Sequence, residues 1–148
     1  MSVLLVGIGN PLRRDDGAGA AVVERFADHP CCRVLVVHQL LPEHVEELAW
    51  CERVLFADAA VNAGAVTLER LAPSARQPSL DHTGDPSWLL GLCEALYGRS
   101  PDARLLTIPV HDLGYGEGLS DGAAAAVDEA ARVIERELRS HQRHPKGP

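Results

Sequence analysis

Val3-Leu4-Leu5-Val6-Gly7-Ile8-Gly9-Asn10-Pro11-Leu12-Arg13-Arg14-Asp15-Asp16-Gly17-Ala18-Gly19 is the stretch whose reading decides the fold. Its opening apolar run does not alternate with polar residues, the pattern of a strand buried on both faces of a parallel sheet. Gly7-Ile8-Gly9 then allows a close backbone approach, and Asp15-Asp16 stand where the N-terminus of a following helix favours negative charge. Strand, glycine turn and helix in this order open an α/β fold, with two adjacent carboxylates on its first turn.

The composition of that turn excludes two common sites. A dinucleotide fingerprint asks for a third glycine where Leu12 stands, and Pro11 removes a backbone donor from any phosphate cradle. A phosphate loop needs Gly-Lys-Ser or Gly-Lys-Thr, which the chain lacks. Two acids at the loop exit attract a cation instead.

Working outward, similar runs at Arg33–Val37, Arg53–Ala57 and Ala103–Ile108 read as further buried strands. Ala65–Leu71 follows Asn62-Ala63-Gly64 and reads as a hairpin partner or an antiparallel edge strand. Between them lie helix patterns at Ala18–Ala27, at Pro42–Trp50 with proline in the first turn, and at Ser87–Tyr97 closed by Gly98. A last helix is expected from about Ser120, as its cap, to Arg139, whose basic end suits the helix dipole. Together these predict a three-layer α/β/α sandwich with a mostly parallel, roughly five-stranded sheet. The expected domain is 1–140, with 141–148 a flexible tail carrying His141 and His144.

The 148 residues suit one domain, and 46% hydrophobic with 24% charged residues is ordinary for a soluble protein. A net charge of −7 with dispersed basic residues argues against nucleic-acid binding. No apolar run reaches the roughly twenty residues that span a bilayer, and the start lacks a signal-peptide pattern, so a cytoplasmic protein without membrane attachment is expected. Cys31, Cys32, Cys51 and Cys93 have no metal or redox spacing and read as reduced packing residues. Metal transfer or redox sensing is the alternative for the adjacent pair Cys31-Cys32.

In open parallel sheets ligands bind beyond the carboxyl ends of the strands. That rule gathers Asp15 and Asp16 after the first strand, His38 after the second, Asp58 after the third and His111-Asp112 after the last, with His82 before the third helix. Asp16, Asp58 and His82 form the chosen ligand set, since carboxylate oxygens with imidazole nitrogen suit nickel or zinc. Each has an ordinary alternative: Asp16 as a helix cap, Asp58 as an acceptor for strand-end amides, and His82 as a cap of the third helix. No zinc-protease helix, nucleophile elbow or framed cysteine is present.

The motifs resemble the nickel-iron hydrogenase maturation endopeptidases over most of the chain. G-I-G-N-P-L-R-R-D-D-G-A-G is similar to the family's opening motif, and F-A-D-A-A around Asp58 to its second acidic motif. G-Y-G-E-G-L-S, Gly114 to Ser120, is similar to the turn before its last helix. The resemblance implies a compact α/β sandwich and removal of a C-terminal extension from the hydrogenase large-subunit precursor after nickel insertion. It also implies that Asp16, Asp58 and His82 contact the metal; on general acid–base grounds Asp16 is the expected catalytic base. The nickel arrives with the precursor, and no organic cofactor is implied. Many members carry Glu at position 16, and many have Asp followed by Gly-Thr where this chain reads His38-Gln39-Leu40-Leu41-Pro42. The alternatives are a non-cleaving nickel chaperone or docking module, and a zinc hydrolase carrying its own metal.

Overall fold

The computed structural model describes residues 3–74 and 84–143. Strands β1 (Val3–Ile8), β2 (Cys32–Val37), β3 (Arg53–Ala60), β4 (Thr67–Leu71) and β5 (Asp102–Pro109) form one sheet in the order β2-β1-β3-β5-β4. The β1–β2, β1–β3 and β3–β5 pairs are parallel, and β4 runs antiparallel to β5. Helices α1 (Ala18–Glu24), α2 (Val45–Ala49), α3 (Pro86–Tyr97) and α4 (Asp121–Arg143) complete the three layers.

The unbroken apolar runs are explained by the layers. Val3 and Leu5 of β1 pack with Leu55, Leu106 and Ile108 under Val22 and Val23 of α1 and Val127 and Ile134 of α4. Leu4 and Val6 face the other way, with Val54 and Phe56, toward Leu48 of α2 and Leu89 and Leu90 of α3. Successive strand side chains alternate in direction, so a strand covered on both faces must be apolar at every position. All six β1 residues are buried.

Helix-to-strand contact at the first turn depends on Gly19. A Cβ there would overlap the Ala57 carbonyl oxygen and lie 2.9 Å from that of Ile8. The close packing that a dinucleotide fingerprint assigns to its third glycine is supplied here from inside α1.

Several expectations shift. Of the run Ala65–Leu71, Thr67–Leu71 forms an edge strand, but not a hairpin with β3, because β5 enters between them. The first helix is shorter than Ala18–Ala27 and is preceded by a 3-10 turn at Arg14–Gly17. Proline-led Pro42–Trp50 divides into a 3-10 turn at Pro42–His44 and then α2. Helix α3 is capped by Asp85, whose Oδ1 accepts the Ser87 amide at 2.9 Å, so its cap is not His82.

The expected tail at 141–148 begins too early. Helix α4 continues to Arg143, because its apolar stripe carries past Leu138 and puts His141 against the core edge. The His141 Nε2 atom is 3.6 Å from a Glu52 carboxylate oxygen. His144 lies outside the described residues.

At the amino-terminal edge of the sheet, the Asp102 side chain is 6% exposed and lies within ion-pair distance of Arg53 (3.4 Å), Arg104 (3.6 Å) and Arg70 (3.8 Å). Glu137 of α4 joins Arg53 and Arg104. This ionic cluster ties α4 to the edge opposite the acidic turn.

Candidate active site at the carboxyl edge of the sheet

From β1 the chain moves to β2 on one side and then returns past β1 to β3 on the other. Such a reversal opens a crevice between the carboxyl ends of the two central strands. Ile8, at the end of β1, stands opposite Asp58 in β3. Beyond Ile8 the chain turns at Gly9, whose φ of 135° is a region that residues with side chains rarely adopt. A Cβ at Gly9 would also overlap the Asp16 carbonyl oxygen. The turn therefore folds the Asp16 backbone directly over the end of β1.

There the Asp16 carboxylate accepts the Asn10 amide, with Oδ2 at 2.7 Å. It does not cap α1, whose N-cap is Gly17. Asp58 is partly buried, and burial pushes its carboxyl up to about 6. The Ala59 amide bonds the carboxylate and opposes the rise, while the negative charge of Asp16 adds to it. The two acids thus feel each other across the crevice, and Asp58 changes protonation near neutrality.

Asp15 turns the opposite way and is fully buried. Its Oδ2 accepts the amides of His111 (2.9 Å) and Asp112 (2.8 Å) and the Ser120 hydroxyl (2.7 Å), while Oδ1 accepts the Ser120 amide (2.7 Å). Burial alone would raise the Asp15 pKa, but these four donors outweigh it and bring it down to about 2. Grouping Asp15 with the crevice-facing acids therefore does not hold. A sequence cannot say which of two adjacent carboxylates points inward.

The turn is further fastened to the 112–120 segment. Arg14 donates its amide to Gly116, and Gly116 donates its own to Leu12, at 3.0 and 2.8 Å. Arg14 adopts a φ of 46°, a conformation costing on the order of 1 kcal/mol for a non-glycine residue. Its guanidinium lies 3.6 Å from Asp112. Leu12 and Tyr115 remain 57% and 91% exposed on these two fastened segments.

His38 is exposed just after β2, beside Val37, whose carbonyl accepts the Gly9 amide at 3.0 Å. It lies on the rim of the same edge. His111 is placed differently: its imidazole lies over Gly122 in the first turn of α4, where a Cβ would meet Cδ2 and Nε2 at 2.8 and 2.9 Å. His82 lies outside the described residues. Among the described residues, no group of three or more His, Cys, Asp or Glu side chains is gathered closely enough to hold a metal ion.

Cys51 and Cys93 are buried, and Cys31 and Cys32 half-buried; all four are free thiols. Burial pushes the Cys51 thiol up to about 12, as suits a packing residue rather than a nucleophile. No helix among the described residues is long and apolar enough to cross a membrane.

No protein-family model and no curated protein sequence matches the chain significantly. Solved structures do. The hydrogenase maturating endopeptidase HybD of Escherichia coli superposes with a TM-score of 0.77 at 20% identity, covering 95% of this chain and 93% of that one. The [NiFe] hydrogenase maturation protease HybD of Thermococcus kodakarensis gives 0.74 at 25% identity, with 93% and 99% covered. The maturation protease HycI of the same organism gives 0.66 at 21%, with 93% and 92% covered. Over nearly its whole length, this protein shares the fold of the nickel-iron hydrogenase maturation proteases.

Proposed function

We propose that the protein is an endopeptidase that removes the C-terminal extension of a nickel-iron hydrogenase large-subunit precursor after nickel has been inserted. The observation that carries this reading is the placement of Asp16 and Asp58 at the carboxyl ends of β1 and β3, where the Asp16 charge helps raise the Asp58 pKa to about 6. Paired carboxylates at a strand-order reversal, in a chain with no framed nucleophile, suit recognition of a cation and activation of water.

Nickel enters as part of the substrate. Asp16 and Asp58 contact it, with His82 as the third group, so that only a loaded precursor docks productively. Water attacks the scissile carbonyl, a carboxylate takes its proton, and the leaving amine departs protonated. Asp16 is the assigned base in this step.

The test is the intact mass of a verified large-subunit precursor after incubation with the protein, nickel-loaded against nickel-free. Shortening of the loaded precursor alone supports a metal-gated endopeptidase. Binding without shortening would favour a chaperone instead.

A further inference from the structure

We infer that Asp15 is a positioning residue of this site, its carboxylate setting where the 111–120 segment stands relative to Asp16. The inference rests on the peptidase reading above.

Asp15 is fully buried, so its carboxylate is closed off from substrate. Four donors approach its two oxygens, and all four belong to His111, Asp112 and Ser120. Those residues are the two roots of the loop that carries Tyr115. One carboxylate therefore clasps both ends of that loop. The clasp continues into α4, because the Ser120 hydroxyl that donates to Asp15 also accepts the Ala123 amide at 3.3 Å.

An acceptor with this many directed donors fixes orientation as well as proximity. Asparagine is a poor substitute, since its amide nitrogen would turn two hydrogens toward groups that are themselves donors. The main chain of Asp15 completes the arrangement by donating its amide to the Asp112 carbonyl at 2.9 Å. Asp16 follows in the same short 3-10 turn, with its carboxylate held on the Asn10 amide. A shift of Asp15 within that turn moves the Asp16 backbone with it, and the loop roots move independently once the clasp is broken.

The test measures kcat and KM separately on a nickel-loaded precursor, with amide hydrogen exchange at Asp112 and Ser120 read in parallel. Each variant is assayed at a temperature where its melting curve shows it fully folded. Asp15→Asn is expected to lower kcat about 100-fold, the scale of an ångström-level misplacement, with KM changed less than about threefold. Exchange at Asp112 and Ser120 should accelerate while the β1 amides stay protected.

Ser120→Ala is expected to lower kcat about tenfold, and Ser120→Thr, which keeps the hydroxyl, to recover most of that loss. This pair decides the matter if Asp15→Asn does not fold. Wild-type kcat in folded Asp15→Asn, a loss that follows only the unfolded fraction, or equal activity of Ser120→Ala and Ser120→Thr would overturn the positioning role. Failure of the wild-type protein to cut a verified loaded precursor would overturn the peptidase reading itself, and positioning with it.

Discussion

Asp15 and Ser120, 105 positions apart in the chain, are joined twice: the Ser120 amide donates to Oδ1 and its hydroxyl to Oδ2, both at 2.7 Å. The contact links the first turn of the fold to the start of its last helix, and it has a thermodynamic signature. The Asp15 carboxyl falls from 3.8 to about 2 in the folded protein, so the folded state holds its proton less tightly than the unfolded chain does. The resulting stabilisation is fully present above pH 4 and is lost as pH falls through about 2. It amounts to roughly 2 kcal/mol, of which about half is gone at pH 3. Urea unfolding at pH 5 and pH 3 should show this loss in the wild-type protein and a smaller one in Asp15→Asn; equal losses would contradict it.

Asp58 behaves in the opposite sense. Its carboxyl is raised from 3.8 to about 6, by burial first and then by the Asp16 charge, so folding favours its protonated form. The associated stability is present below pH 4 and is lost as pH rises through about 6. Asp58→Asn should therefore raise stability at pH 8 by about 1–3 kcal/mol, have little effect at pH 4, and abolish precursor processing. Thermal melts at the two pH values check the first part and an intact-mass assay the second.

Asp16→Asn should stop processing while leaving the melting temperature close to wild type, because Asn keeps an oxygen that can accept the Asn10 amide. Asp16→Glu should retain cleavage within about tenfold, since it preserves the charge and lengthens the arm by one methylene. Normal cleavage by Asp16→Asn would remove Asp16 from the mechanism.

Gly9→Ala tests the turn that carries Asp16. The added Cβ meets backbone at Asp16, and φ is 135°, so neither a rotamer change nor a small shift relieves the clash. A loss of about 3 kcal/mol or more in urea unfolding is expected, or an insoluble product. A fully stable Gly9→Ala protein would contradict the close approach.

Asp102→Ala tests the opposite edge. It leaves Arg53 and Arg104, with side chains 16% and 25% exposed, sharing only the more distant Glu137 as a counter-charge. Breaking such a group from one side should cost about 3 kcal/mol, read by urea unfolding, with little effect on cleavage per folded molecule.

The sequence by itself determined the strands and layers, because burial on both faces demands apolar residues at every position of Val3–Val6 and Val54–Ala57. It also set Asp16 and Asp58 near the carboxyl edge of the sheet, since the backbone that follows or ends such runs lies there. The adjacent letters Asp15-Asp16 do not reveal that one faces four donors from a segment about 100 residues away and the other faces the crevice. Nor does a local pattern reveal that β5 enters beside β3 and displaces β4 to the edge, or that Gly19 brings α1 onto Ile8 and Ala57. Those outcomes depend on long-range pairing, in which hydrogen-bond partners and close contacts exist only once distant segments have met. Tertiary structure alone decided them, and with them the division of the two acids into a buried clasp and a half-buried carboxylate at the crevice.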